Sequence, residues 1–475
     1  MEKISIPCGF LWVLLLSLAS FTAIAIDTRD AKLTKYISSC EVNPQSPEER
    51  YRACQQHCER TQLQHRPQCR QKCIDEYRKE QRKDDNPYAF EEQHFTTIKS
   101  QHGRLRILQK FLDRSKFLSG IDKYRFGFLE AEPYTFFVPA HYDADLLCIV
   151  LRGRGKVTLL RSKGSESLNL QKGDIYRIPA GTTVYLINID KREKVEIAWL
   201  IQPISTPGEF KEFFGAGGEN PKSFLKTFSP ELLEAAFKVN RDRLQEWLGQ
   251  REGFVVKASE EQIRALSDHA GGKGLWPSGE SKRTINILRQ RPIHSNKYGE
   301  IRDVKPDDLE PFQDLNVGVA LANMTQGAMS TMFFNSKSTK ICVVPNGEGY
   351  IQMACPHLSS SSSEESEQGH GDGGFIDQSN PGYVQVTTRL RPGIVFIAPP
   401  GHPLVMVASN NQNLEVLCFV INARNNERTP LAGGNNIWNQ MEEVGLELAF
   451  NMPSEEVKSI LKSQKKEWFM KGPRS

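Results

Sequence analysis

One group of residues able to hold a metal stands apart from the rest of the chain. Cys355-Pro356-His357 sets a thiol and an imidazole on alternate positions of an extended segment, so both project from one face, and His402 stands in the turn directly after Gly401. A thiolate with imidazoles suits copper, with zinc as the chemical alternative. A free buried cysteine beside two surface histidines is the competing reading of the same residues. Elsewhere, Cys54-x3-Cys58 and Cys69-x3-Cys73 occur ten residues apart in a segment dense in Gln, Arg and Glu. A C-x3-C pair puts both thiols on one helical face, so two such helices packed antiparallel would bridge Cys54 to Cys73 and Cys58 to Cys69. Zinc is the rival there, and an oxidising compartment favours the disulfides.

The donors need a scaffold, and the chain supplies one by repetition. The stretch 141–157 lies over 335–351, each with a mid-strand cysteine, Cys148 or Cys342, and a G-x-G turn. Gly173-x5-Pro179-x-Gly181 returns as Gly393-x5-Pro399-x-Gly401, and Leu233-Glu234-x-Ala236-Phe237 returns as Leu446-Glu447-x-Ala449-Phe450. Matched blocks in the same order indicate duplication. Cys355, His357 and His402 have no counterparts in the first copy, where Arg161, Lys163 and Thr182 align with them. Short alternating apolar runs punctuated by Gly and Pro predict antiparallel double-sheet barrels. Behind each barrel, Ser229-Pro230-Glu231, Ser259-x-x-Gln262 and Ser454-Glu455-Glu456 predict capped helices, and Leu233, Phe237, Leu244 and Leu248 give the first arm an apolar stripe.

The expected division is a signal peptide over 1–25, a Cys-rich helical hairpin segment over 26–86, a first barrel with its arm over 87–270, a linker over 271–282, and a second barrel with its arm over 283–475. A basic Lys3, the apolar run 10–21 and Ala23-Ile24-Ala25 carry the signal-peptide reading, and with it an oxidising compartment and no membrane span in the mature form. Within the second barrel, 359–374 is a Ser/Glu/Gly low-complexity loop, expected to be mobile, with His370 solvated. The 475 residues carry 61 basic and 57 acidic side chains, a net charge of +4, which argues against nucleic acid as a partner. Asn323-Met324-Thr325 is the only glycosylation sequon and falls in a strand-like run.

The spacing G-x5-P-x-G in both copies, each after a G-x-G hairpin, resembles the second motif of the cupins. The order of a stapled hairpin and two such units each trailed by helices, with Asn86-Pro87-Tyr88, Ser295-Asn296-Lys297-Tyr298-Gly299 and Leu431-Ala432-Gly433, resembles the vicilins, the 7S globulin seed storage proteins. The resemblance implies a mainly β fold of two tandem cupin (double-stranded β-helix, jelly-roll) barrels. It also implies a homo-trimer joined through the helical arms, delivery through the secretory pathway to the protein storage vacuole of the seed, and a role as a non-catalytic nutrient reservoir. An enzymatic cupin needs three His and a Glu. Here His141 stands without the second His or the acid, Val184 replaces the third His, and Asn335 and Leu404 replace their counterparts in the second copy. Some vicilins hold copper through a Cys and two His with a nearby N-terminal Tyr, and Tyr88 matches that position, beside Cys355, His357 and His402. Two other functions stay open on sequence: a vicilin-related sugar or small-molecule binder using a barrel interior freed of metal, and a copper-dependent redox cupin.

Overall fold

The structure is a computed structural model. It describes residues 86–473 except 217–219, 250–251, 269–282, 309 and 357–381 and the side chains of 310–311, together with residues 51, 54, 55, 58, 66, 69, 70, 72 and 73. Two compact units emerge, 1–85 and 86–475. In the first, the described residues are helical, and Cys54 is bonded to Cys73 and Cys58 to Cys69. The sulfurs of Cys54, Cys58 and Cys73 lie within 4.8 Å of one another because the two bonds stack side by side; this is oxidised sulfur, not a thiolate ligand set. The expected signal peptide, Cys40, the linker, His357 and His370 lie outside the described residues.

The second unit holds two barrels, each made of two antiparallel sheets. Inward and outward side chains alternate along their strands, and the inward sets form the barrel interiors. In the first barrel a register row runs across one sheet through Tyr176, Cys148, Trp199 and Gly127. The matching row of the second barrel is Phe396, Cys342, Cys418 and Ala320. Cys342, read from sequence only as a repeat-related strand position, and Cys418, which had no assigned role, form a disulfide. The outer faces of these two sheets pack against each other, with Phe126 of the first barrel edge-on to Phe419 of the second at 6.0 Å.

The expected boundaries at 87–270 and 283–475 are crossed at both ends. Strand Ala89–Phe90 precedes the first barrel in sequence yet pairs with Val395–Ala398 of the second. Strand Thr284–Asn286, just past the linker, pairs instead with Asp174–Ile178 of the first. Asn286 anchors this exchange, its Nδ2 donating to Asp174 Oδ1 at 2.7 Å and to Lys172 O at 3.0 Å. The exchange leaves each barrel dependent on a strand from beyond the other's border.

Helices Pro230–Phe237 and Arg241–Gly249 trail the first barrel, and Glu443–Phe450 and Ser454–Leu461 trail the second. Lys238 and Asn451 occupy the same left-handed corner in the two arms. Ser259 and Gln262 form the reciprocal capping pair that their spacing predicts. Ser454 is displaced from its expected cap position: Pro453 takes that place, and the Ser454 N–H donates to Glu447 Oε1, so a carboxylate from the preceding helix satisfies the end. The predicted stripe is buried at Leu233, Leu244 and Leu248 but not at Phe237, whose ring meets Trp247 edge-on at 5.2 Å on the outer face. Among the described residues, no helix is long and apolar enough to cross a membrane.

Candidate metal centre

The strand Gly349–Cys355 alternates buried and half-buried positions, so Cys355 shares the inward face of Ile351 and Met353 and is fully buried. Its neighbour Leu404–Ala408 is preceded by the turn of the G-x5-P-x-G motif. There Gly401 takes φ 73°, as Gly181 takes φ 72° in the first copy, a conformation that excludes most side chains and fixes glycine at this point of the motif. His402 follows at once and is 5% exposed. Its Nδ1 lies 2.9 Å from Pro400 O. A carbonyl can only accept, so Nδ1 carries the proton and Nε2 is the ring nitrogen with the lone pair.

Ala354 N–H donates to Pro403 O at 2.9 Å, which ties the Cys355 strand to the His402 turn. The third member arrives from the exchanged N-terminal strap. Ile397 N–H donates to Tyr88 O at 2.7 Å, Asn86 Nδ2 to Thr388 Oγ1 at 2.7 Å, and Arg114 Nη2 to Asn86 O at 2.7 Å. These bonds seat the Tyr88 ring edge-on to His402 at 5.9 Å. The Tyr88 hydroxyl is buried and has no hydrogen-bond partner among the described residues. Burial pushes its phenol up to about 12, with the neighbouring Cys355 adding to the rise. The Cys355 thiol is likewise pushed up to about 12 by burial. Without a cation the pocket therefore holds a neutral thiol and a neutral phenol, and a cation would supply the charge that lets the thiol ionise. Three of the four candidate residues converge; His357 lies outside the described residues.

The inherited cupin positions carry no ligand set. Val184 and Leu404 are buried in the barrel interiors. His141 faces outward and stacks on Phe213 with ring centroids 4.9 Å apart. The inward place belongs to Tyr142, because Gly181 N–H donates to Tyr142 O just as Gly401 N–H donates to Asn335 O. The sequence pairing of His141 with Asn335 is thus one residue out, and in a strand one residue reverses the face. Asn323 lies exposed on the strand Val317–Met324.

The chain matches the cupin family ("Cupin") over residues 130–245 and 285–458, one stretch in each copy. It is 47% identical to "Vicilin Jug r 6.0101" of Juglans regia, over 83% of this chain and 79% of that protein. It is 45% identical to "Vicilin Cor a 11.0101" of Corylus avellana, over 94% of this chain and 96% of that one. The crystal structure of vicilin from Corylus avellana superposes with a TM-score of 0.74 at 48% identity, covering 82% of this chain and 100% of that one. Within the cupins, the chain belongs to the vicilins.

Proposed function

We propose that this vicilin is a seed storage protein, a nutrient reservoir without catalysis, that holds one transition-metal ion, copper before zinc, in its second barrel. The storage role is supported by membership of the vicilins together with the loss of the cupin ligand set from both barrels. Delivery through the secretory pathway to the protein storage vacuole, and a homo-trimer joined through the arms, belong to the same proposal. The trimer draws support from the outer faces of the arms, where Leu448 is 81% exposed, Leu232 and Ile460 are each 61% exposed and Trp247 is 56% exposed.

The observation that carries the metal reading is that Cys355, His402 and Tyr88 are all buried, with Tyr88 beside both of the others and its hydroxyl without a hydrogen-bond partner among the described residues. His357 would supply the second imidazole. A copper ion would bring its preference for thiolate and imidazole donors, and the chain's part would be to hold it away from solvent. Two experiments test the proposal. Protein abundance should rise in maturing seed and fall on germination, and steady expression in leaf would contradict storage. Elemental analysis of purified protein should give one copper or zinc per chain, absent from Cys355→Ser; wild-type protein free of stoichiometric metal would end the metal reading.

A further inference from the structure

Lys340 stands where the first barrel has Leu146. Each lies two residues before its mid-strand cysteine, with Leu146 set between Ile178 and Ile201 and Lys340 between Ala398 and Val420. Strand alternation gives each the inward face of that cysteine. Inside the second barrel Lys340 is 5% exposed, and its Nζ lies 5.3 Å from the centre of the Phe333 ring. Two charged groups act on it: Arg428 repels its cation and Asp303 attracts it. Asp303 is already engaged, its Oδ1 accepting from Arg428 Nη2 at 2.7 Å. One carboxylate thus serves two cations, and among the described residues no second acid acts on Lys340. His294, which lines the cleft outside this pair, is itself held below its usual value by burial first and by Arg428 second. The neighbouring polar groups are poorly satisfied too. Arg428 Nε, Ser338 Oγ and both ends of the carboxamide of Asn335, the register partner of Arg428, are buried without hydrogen-bond partners among the described residues.

We infer that Lys340 is a pH-sensitive weak point built into the second barrel: a proton taken up there leaves an uncompensated charge inside, and the end formed by Phe333–Asn335 and Arg428 loosens. The first barrel, with Leu146 at that place, has no such weakness. A buried neutral amine costs the fold little, whereas a buried ammonium without a free counter-ion costs far more. Burial, and then Arg428, hold the amine well below its usual 10.5, against the opposing pull of Asp303. Below 10.5 the unfolded chain binds a proton that the folded chain refuses. Stability is therefore lost as pH falls from there to the lowered value, and beneath it the barrel must hold the ion or open. Of the two duplicated halves, acid opens the second first.

The test compares the full wild-type chain with Lys340→Met, which keeps most of the stem and drops the charge, by guanidinium unfolding between pH 7 and pH 10. The variant should be the more stable. Its advantage in the unfolding equilibrium should grow as pH falls, by up to about tenfold per pH unit, and level off below the lowered value. Lys340→Arg, which stays charged throughout, should lose most against wild type at pH 10. Hydrogen exchange at a single pH localises the effect: residues 333–347 should be better protected in Lys340→Met than in wild type, and 141–157 unchanged. An advantage that does not vary with pH, or a Lys340→Met protein less stable at every pH, would overturn the inference. Protection gained equally in both barrels would overturn it as well.

Discussion

Cys342 lies directly opposite Cys418 on neighbouring strands of the second barrel, and a disulfide joins them. At the corresponding pair in the first barrel, Cys148 faces Trp199 and remains a free thiol. The duplicated sheets thus fill the same place in two ways, by an indole in one and a covalent bond in the other. The bond ties strands 76 residues apart in sequence. Replacing both cysteines by alanine should cost about 4 kcal/mol through the longer reach of the unfolded chain. Guanidinium unfolding of the double variant against wild type measures it, and an unchanged midpoint would contradict the bond.

The strap that carries Tyr88 shields Cys355. In metal-free protein, Cys148 and Cys355 should both resist a thiol-directed disulfide reagent until the fold is lost. Tyr88→Gly should expose Cys355 alone and raise its rate of modification at least tenfold, read by peptide mapping. Equal protection in the variant would show that other residues seal the pocket.

Glu196 stands among Glu130, Arg104, Arg106 and Arg152, with Arg106 Nη2 at 3.8 Å. Burial, and then repulsion from Glu130, hold its carboxyl above the usual range despite those arginines. The folded state therefore takes up this proton more readily than the unfolded chain. Its contribution to stability improves as pH falls through the raised value and is at its worst above it. Glu196→Gln should accordingly raise the melting temperature at pH 7.5 more than at pH 4. Calorimetry at the two pH values decides, and a larger gain at the acid pH would refute the assignment.

The arms supply a test of assembly. Leu448→Asp or Trp247→Asp places a charge on an exposed apolar face without touching the buried Leu446, Leu244 or Leu248. Each should shift the protein from trimer towards monomer in light scattering while its circular dichroism stays native. A trimer unaffected by either change would place the contact elsewhere.

Tyr142 is buried beside Trp199, and its hydroxyl has no partner among the described residues. Tyr142→Phe removes a polar atom that the fold leaves unsatisfied. Stability should hold or rise, by up to about 2 kcal/mol. A clear loss in denaturant unfolding would reveal a partner for that hydroxyl.

Local spacing carried much of this fold in the sequence. The Cys54 and Cys58 pair meets the Cys69 and Cys73 pair because helical periodicity places each pair on one face. The duplication was visible because its glycines serve turns: Gly181 and Gly401 share one left-handed conformation. What needed register could not be read in the same way. Cys342 and Cys418 meet only through the order of strands, and a one-residue offset hid the inward Tyr142 behind His141. Tyr88 came to attention through resemblance alone, since nothing local says that a segment ahead of the first barrel belongs to the second. Asn335 read merely as a missing histidine, because an unsatisfied amide is a property of its surroundings.

The strap also sets an order on synthesis. Ala89 and Phe90 leave the ribosome before either barrel exists, and their partners Phe396 and Val395 follow about three hundred residues later, roughly 15 to 60 s at ordinary elongation rates. Through that interval the first barrel can collapse around its own core, while the strand Ala89–Phe90 waits for the second barrel to be made. Tyr88, the first-made residue of the candidate metal centre, is among the last to be enclosed, so its pocket closes only when the chain is nearly complete.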